Sequence, residues 1–314
     1  MAHPGVGAVT AKRRSPLRDR AELWLYRRGR GVAERLRPTT AARAGERLGI
    51  LFLAVSRLRR RIADFNLRLA FPEMDDAARQ RLAKEVARHF GRMLMDTLAE
   101  SRSPEEILAE TEVEGMERVE AVLAEGRGAF FLSAHIGSWE YAAHFTGLRI
   151  GGPGLAVVNR PLDNPLLETE LAAIRSRFGN RVLGKTRIAR GVLEQIRAGG
   201  GVGILIDQKP PPDIGIQVPF FGHPAMTHSV LARMVRRTEA PVIPAFGIRT
   251  GPGQYKVVYG QTIEPRELSS EELEDVALTA RFNRTVEEII GRHPEQWLWF
   301  HDRWRELRCG STRA

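Results

Sequence analysis

The sequence has very little cysteine and no apolar segment long enough to cross a membrane. Its single cysteine, Cys309, excludes an internal disulfide framework, and the polar stretch around it gives no sign of a nucleophile. The longest apolar run near the N-terminus is eight residues, 48–55, against the roughly 20 that span a bilayer. No apolar segment with a cleavage site follows the basic N-terminus, so we see no secretory signal. We therefore expect a soluble or peripheral protein of the cytoplasm.

Two common catalytic motifs are also missing. The sequence contains no GxSxG nucleophile elbow and no HExxH zinc motif. An acyl-serine route and zinc-protease chemistry therefore have no basis in the sequence. Nothing in it predicts a metal or a redox cofactor.

Acidic residues are scarce in the first 61 residues. This segment holds 16 Lys and Arg against 4 Asp and Glu, whereas the other 253 residues hold 32 against 34. A positive excess confined to one end indicates a polyanionic partner, either nucleic acid or anionic lipid headgroups. Trp24, Tyr26 and Phe52 lie among arginines, which is typical of a membrane interface, and we expect no nucleic-acid partner. A solvated or disordered basic leader is the alternative interpretation.

The spacing of apolar residues divides the chain into regions. A basic leader, predicted to be disordered, covers 1–20, and helical patterns fill 21–111, including one long helix from about Thr40 to Leu69. From about residue 112, short apolar strands alternate with helices. This alternation predicts an α/β fold with a central, mostly parallel or mixed sheet layered by helices. We place this α/β core at 112–305 and a short polar tail at 306–314.

The most distinctive stretch is a corner after the apolar strand 129–134, with the sequence His135-Ile136-Gly137-Ser138-Trp139-Glu140. His135 and Glu140 would face different ways on a regular helix or strand, but Gly137 permits a turn that brings them together. A carboxylate on one imidazole nitrogen makes the other nitrogen a better base. We predict a His135–Glu140 dyad that deprotonates a substrate hydroxyl. A satisfied core histidine and a glutamate placed for the helix dipole are the structural alternatives.

The same six residues resemble the H-x4-E motif of the bacterial late acyltransferases of lipid A biosynthesis, the lauroyl- and myristoyl-transferring family. Further similarities follow in the family's order over about residues 45–305: the stretch 66–73, the loop from Arg160-Pro161 to Asn164-Pro165, the pair Asp207-Gln208, and the stretches 218–222 and 293–299. The resemblance implies a glycerophosphate-acyltransferase-like α/β fold with a helical N-terminal region. It also implies transfer of a fatty acyl chain from an acyl carrier protein thioester to a hydroxyl of a lipid A precursor.

The resemblance also implies roles for particular residues. His135 would be the general base and Glu140 its orienting partner, with no covalent intermediate, and backbone amides after Ser138 are candidate oxyanion donors. The candidate substrate-binding residues are polar or basic side chains in loops or at strand ends: Arg160, Asn164, Lys185, Arg187, Asp207 and Gln208. Arg160, Lys185 and Arg187 would bind acceptor phosphates. A surface arginine at position 160, and loop caps at Asp207 and Gln208, are the structural alternatives.

The family resemblance further implies a location at the cytoplasmic side of the inner membrane, whose anionic surface residues 1–61 would contact. Members commonly carry an N-terminal membrane helix, which this sequence lacks. Either basic interfacial helices take its place, or the true start codon lies elsewhere. Two alternatives stay open: the same chemistry on a lysophospholipid or phosphatidylinositol mannoside, and a non-catalytic basic protein that binds membranes or nucleic acid.

Overall fold

The computed structural model describes residues 14–100, 102–159, 161–184, 188–211 and 214–310. Helices form the first part of the described chain: α1 (Pro16–Ala33), α2 (Pro38–Val55), α3 (Arg57–Ala70), α4 (Asp76–Ala99) and α5 (Pro104–Glu110). Two of them begin at classical cap residues. The Asp75 side chain accepts a hydrogen bond from the amide of Ala78, and Ser103 and Glu106 form a reciprocal capping box.

Strands and helices alternate in the second part. The first half of it holds β1 (Glu112–Glu114), α6 (Met116–Ala124), β2 (Ala129–Ser133), α7 (Trp139–Ile150), β3 (Leu155–Val158), α8 (Pro165–Ser176), β4 (Arg181–Leu183), α9 (Ile188–Arg197) and β5 (Gly201–Leu205). The second half holds β6 (Gly215–Phe220), β7 (His223–His228), α10 (Val230–Thr238), β8 (Val242–Gly251), β9 (Gln254–Tyr259), α11 (Asp275–Arg292) and α12 (Arg305–Gly310).

Seven of the strands form one sheet in the order β1-β9-β8-β2-β5-β3-β4. Every neighbouring pair is parallel except β8 and β9, which run antiparallel. Strands β6 and β7 form a separate antiparallel hairpin. The predicted α/β fold, with a mostly parallel sheet, helices around it and a helical N-terminal region, is confirmed.

Strand β2 is buried on both faces, which explains its unbroken apolar sequence. Phe130 and Leu132 pack into a core that also contains Leu67 of α3 and Val86 of α4. Phe131, on the opposite face, packs into a second core with residues of α6 and α7. The N-terminal helices therefore share a hydrophobic core with the sheet.

Helices α2 and α4 cross with their backbones in close approach. A Cβ on Gly49 would overlap the carbonyl of Ala87, and a Cβ on Gly91 would overlap the carbonyl of Gly45. Glycine at these crossing points is therefore a packing requirement. Among the described residues, none of the helices combines the length and the hydropathy that a membrane crossing needs.

Three sequence predictions about element boundaries differ from the structure. The single helix predicted from Thr40 to Leu69 is wrong, because the backbone at Ser56 leaves the helical range (φ −95°, ψ 83°) and separates α2 from α3. Helix α1 begins at Pro16, inside the predicted leader, since proline fits the first turn of a helix; residues 1–13 lie outside the described residues. Helix α12 occupies part of the predicted polar tail.

Candidate active site

The site is built where two neighbouring parallel strands end. Ser133, the last residue of β2, pairs with Leu205, the last residue of β5. His135 and Asp207 each follow two residues later, so the same register brings their side chains together. The distance from His135 Nδ1 to Asp207 Oδ1 is 2.8 Å. His135 therefore has a carboxylate partner that lies 72 residues further along the chain.

The Asp207 carboxylate is buried and accepts three hydrogen bonds. Oδ1 accepts from His135 Nδ1, and Oδ2 accepts from the His135 backbone N–H (2.9 Å) and from Trp297 Nε1 (2.8 Å). Burial, with only 1% of the side chain exposed, would raise the pKa of Asp207. The charge of His135 and the three hydrogen bonds outweigh burial and hold that pKa at about 2.

This arrangement assigns the proton on the imidazole. An ionised carboxylate can only accept hydrogen bonds, so Nδ1 of His135 carries the proton that Asp207 receives. In the neutral ring, Nε2 is then the nitrogen with the free lone pair. About a fifth of the His135 side chain is exposed (21%), so a substrate can approach the ring. Asp207 thus fixes the orientation and the tautomer of the His135 ring, an arrangement that suits a general base.

Glu140 has a different partner from the one that the sequence predicted. Its carboxylate binds Arg175 of α8, with Arg175 Nε 3.0 Å and 3.1 Å from the two oxygens and Nη2 2.6 Å from Oε1. The prediction that Glu140 hydrogen-bonds to His135 is therefore wrong, because Asp207 occupies Nδ1. The rings of Trp139 and His135 pack in a T-shaped arrangement, with centroids 5.0 Å apart. A direct part for Glu140 in catalysis stays a prediction.

The corner between β2 and α7 needs glycine. Gly137 has φ +56°, and a Cβ there would overlap the carbonyl oxygen of Gly247. The predicted turn at Gly137 is confirmed. The Gly137 amide donates to the Gln296 carbonyl at 2.9 Å, and the Ser138 amide donates to the Gly247 carbonyl at 2.7 Å. These two amides hold the corner, so a reacting oxygen would have to use amides further into α7.

Trp139, which contacts His135, also forms part of the wall of a mainly apolar cavity of about 260 Å³. Most of the remaining wall comes from α4, from the N-terminal half of α7, from α8 and from β9. Its apolar or aromatic members are Met93, Leu94, Tyr141, Leu171, Ile174 and Tyr255. Four charged side chains also lie in the wall, namely the Glu140–Arg175 pair, Asp96 and Glu100. A long aliphatic group is the kind of ligand that such a surface favours.

Asn164, predicted to bind substrate, has a structural position instead. Its Oδ1 accepts from the amides of Leu166 and Leu167 and caps α8. Its Nδ2 donates to the Asp19 carbonyl at 3.2 Å and to Glu22 at 2.8 Å, which ties α8 to α1. Because these four bonds use the full capacity of the amide, no polar atom of Asn164 is left for a substrate.

The other predicted substrate-binding residues fall into two groups. Asp207 lies in the site as described, and Gln208 is half-buried next to it. Arg160, Lys185 and Arg187 lie outside the described residues, so their predicted phosphate contacts stay predictions.

Sequence reasoning missed three contacts of the site, namely His135–Asp207, Trp297–Asp207 and Arg175–Glu140. Trp297 and Arg175 were not predicted, although each binds one of the two carboxylates. The contact between His135 and Asp207 had a signal in the sequence, since each residue follows an apolar strand by the same short interval. For Arg175 and Trp297 there is no such signal, because their contacts depend on how α8 and the segment after α11 pack.

These features define an α/β protein with a half-buried histidine bonded to a buried carboxylate at adjacent strand ends, next to an apolar cavity. The chain belongs to the family of bacterial lipid A biosynthesis acyltransferases, whose family model matches residues 12–306. It is thus an acyltransferase of lipid A biosynthesis, and the family resemblance of the sequence is confirmed.

Curated relatives agree with this assignment. The chain is 30% identical over 267 residues to the lipid A biosynthesis lauroyltransferase of Escherichia coli (strain K12), with 84% of each chain covered. It is 27% identical to the lipid A biosynthesis myristoyltransferase of the same organism, over 81% of this chain and 77% of the relative. A lipid A biosynthesis acyltransferase of Haemophilus influenzae is 28% identical over 83% of both chains.

A comparison with solved structures finds the 1-acyl-sn-glycerophosphate acyltransferase PlsC of Thermotoga maritima. The match covers 80% of this chain and 95% of that one, with 16% identity and a TM-score of 0.37. At this level of similarity the match adds no argument about fold or function.

Proposed function

We propose that the protein transfers a fatty acyl chain from an acyl carrier protein thioester to a hydroxyl of a lipid A precursor, with His135 as general base and Asp207 as the carboxylate that orients it. The observation that carries this proposal is the His135–Asp207 contact of 2.8 Å beside an apolar cavity. Family membership supports the acyl group and the lipid A acceptor.

The proposed step balances with these residues. His135 Nε2 takes the proton of the acceptor hydroxyl while its oxygen attacks the thioester carbonyl carbon. The tetrahedral intermediate collapses, the C–S bond breaks, and the thiolate leaves with the electron pair and takes the proton from the imidazolium. A thioester is already activated, so base catalysis and stabilisation of the oxyanion suffice. The amides of Trp139 and Glu140, in the first turn of α7, are the proposed oxyanion donors.

We assign the acyl chain to the cavity whose wall includes Trp139. Burial of each methylene there contributes about 0.8 kcal/mol, so an apolar wall favours long-chain donors. Glu140 and Arg175 lie in this wall, and Glu140 acts in the proposal by holding Arg175, and with it α8, against the cavity. Arg160, Lys185 and Arg187 are proposed to bind acceptor phosphates.

We further propose that the N-terminal helices bind the anionic cytoplasmic surface of the inner membrane. Helix α2 turns a stripe of small residues toward α4 and exposes a second, apolar stripe: Leu48 (49% exposed), Leu51 (58%), Phe52 (46%) and Val55 (71%). Exposed arginines flank the stripe at positions 43, 47, 57, 60 and 61. An apolar stripe with an arginine rim suits a bilayer with anionic headgroups, because the chains take the stripe and the headgroups take the arginines.

The catalytic part is tested by acyl transfer with purified protein, acyl carrier protein thioesters and a lipid A precursor in detergent. We expect His135→Ala to lose several orders of magnitude in kcat, and His223→Ala, a half-buried histidine of strand β7, to keep the wild-type rate. Comparable rates for wild type and His135→Ala would disprove the assignment of the base. Transfer to a lysophospholipid but not to the lipid A precursor would disprove the acceptor and leave the base intact.

The membrane part is tested by flotation with vesicles of zwitterionic lipid alone and with added anionic lipid. We expect the double variant Leu51→Asp/Val55→Asp to lose binding to the anionic vesicles. Val276→Asp is the control, since Val276 (57% exposed) is about as exposed as Leu51 (58%) but lies on α11. Equal binding by the two variants would contradict the proposed surface.

A further inference from the structure

The segment after α11 wraps around the catalytic corner. Within it, the Gln296 carbonyl accepts from the Gly137 amide (2.9 Å) and the Leu298 amide donates to the His135 carbonyl (3.2 Å). Between these two contacts Trp297 forms a bridge with Ile136, and its indole N–H reaches Asp207 Oδ2 at 2.8 Å. One short segment thus holds the backbone on both sides of the corner and also the carboxylate behind it.

We propose that Trp297 is a positioning residue for the proton transfer at His135, because its indole N–H fixes the rotation of the Asp207 carboxylate. This inference rests on the proposed role of His135 as base. The indole acts through Asp207 and does not touch the substrate.

The two carboxylate oxygens of Asp207 accept hydrogen bonds from different donors, which supports the inference. Oδ1 serves His135 Nδ1, whereas Oδ2 serves the His135 amide and Trp297. The two donors to Oδ2 approach from different elements and together define the plane of the carboxylate. With only one donor left on Oδ2, the carboxylate could rotate and Oδ1 would move off the line of Nδ1–H. Trp297 is fully buried (0% exposed), so bulk water is not at hand to replace the indole donor.

Few other groups near Asp207 could replace the Trp297 indole as a hydrogen-bond donor. The charged or titratable side chains that act on it are His135, His301 and Arg303. His301 accepts a hydrogen bond from the Lys209 amide, and Arg303 donates to the Met226 carbonyl and to Thr227. Both are thus engaged elsewhere, and Trp297 is the side chain besides His135 that donates to Asp207 among the described residues.

A second tryptophan offers a matched control. Trp304 is also buried (1% exposed). Both indoles pack on Phe220, with ring centroids 5.6 Å away for Trp297 and 5.5 Å away for Trp304. Among the described residues, Nε1 of Trp304 has no hydrogen-bond partner. Replacing either residue by phenylalanine therefore removes a similar volume from the same aromatic cluster, but only one replacement removes a donor from Asp207.

The experiment compares Trp297→Phe with Trp304→Phe by kinetics and by proton NMR. For Trp297→Phe we expect kcat to fall about 10- to 100-fold, the range for one hydrogen bond to a charged group, with KM little changed. The acidic limb of the pH dependence should move to lower pH, since a carboxylate turned off the line of Nδ1–H stabilises the imidazolium less. Trp304→Phe should keep the wild-type kcat and pH dependence.

The NMR measurement does not depend on the substrate and so separates this inference from the proposed function. In unliganded protein, the downfield Hδ1 resonance of His135, assigned by its loss in His135→Ala, should broaden or shift in Trp297→Phe and stay in place in Trp304→Phe. An unchanged resonance and pH profile in folded Trp297→Phe would overturn the inference, and so would equal effects of the two variants. If Trp297→Phe does not fold, benzothienylalanine at position 297 replaces it, because this residue keeps the bicyclic shape without the N–H. The same NMR and pH measurements, with the same criteria, then test the inference.

Discussion

The substitution Asp207→Asn tests the central feature of the site with almost no change of shape. Asp207 receives three N–H donors and donates to none. The carboxamide that replaces it must turn its NH2 group toward one of them. If the NH2 faces His135, Nδ1 has to accept and the ring proton moves to Nε2. If it faces the other side, it clashes with the donors from the His135 backbone and from Trp297.

The first outcome removes the base without removing the histidine. A ring with its proton on Nε2 cannot take a proton from the acceptor hydroxyl, and an asparagine that inverts an imidazole in this way costs about 10⁴ in kcat in serine proteases. We expect a loss of about 10³ to 10⁴ here. The second outcome leaves buried donors facing each other, which destabilises the folded protein by about 1–3 kcal/mol for each unsatisfied group. It should therefore also lower the melting temperature of the variant.

The assay is acyl transfer under saturating thioester, run for Asp207→Asn and Glu140→Gln side by side, with thermal unfolding of both variants. Since Glu140 binds Arg175 and not His135, Glu140→Gln should reduce kcat far less. Asp207→Asn with a tenth or more of the wild-type kcat would refute the assigned tautomer. A larger loss in Glu140→Gln than in Asp207→Asn would show that the predicted His135–Glu140 dyad forms during the reaction.

Three further predictions address the corner, the buried histidine of α4 and the cavity. In urea titrations, Gly137→Ala should lower the free energy of unfolding by about 2 kcal/mol or more, because the backbone is left-handed and the new Cβ overlaps Gly247. The control is Gly126→Ala, with φ +68° and open space around its Cβ. It should lose only the part of this free energy that comes from the left-handed backbone. Burial lowers the pKa of His89 from 6.5 to about 3, so the unfolded chain binds a proton at higher pH than the folded protein does. The free energy of unfolding should therefore fall by about 2 kcal/mol between pH 7 and pH 5. In urea titrations His89→Asn should lack this fall, and an equal fall in the variant would contradict the assignment. Ile174→Trp narrows the cavity and should shift the preference among acyl thioesters toward shorter chains. An unchanged chain-length preference would show that the acyl chain does not bind in this cavity.

Local patterns were enough to predict the alternating elements and the corner. The apolar run of β2 and the glycine at 137 follow from short-range rules, and both are confirmed. The same rules could not locate the break at Ser56, because the three-and-four spacing continues across it. They also did not predict the hairpin of β6 and β7, in which Pro219 lies within a strand, a position that proline seldom takes.

The partners of the two catalytic candidates depended on longer-range information. His135 and Glu140 are close in sequence, which favoured pairing them, but strand order decided the outcome. Because β5 lies next to β2 in the sheet, Asp207 reaches His135, and Glu140 at the start of α7 is left to face α8. A single sequence does not give strand order, so this part of the site needed the structure.

The involvement of Trp297 has a consequence for the order of events during synthesis. Chains emerge from the ribosome N-terminus first, at about 5–20 residues per second, so the arginine-rich helices are available to the membrane long before residue 297 is made. His135 and Asp207 emerge between these two points, without the segment that holds their corner. If these helices bind the bilayer as proposed, the nascent chain reaches the membrane while it is still inactive, and acyl transfer becomes possible only once the chain lies beside its lipid acceptor.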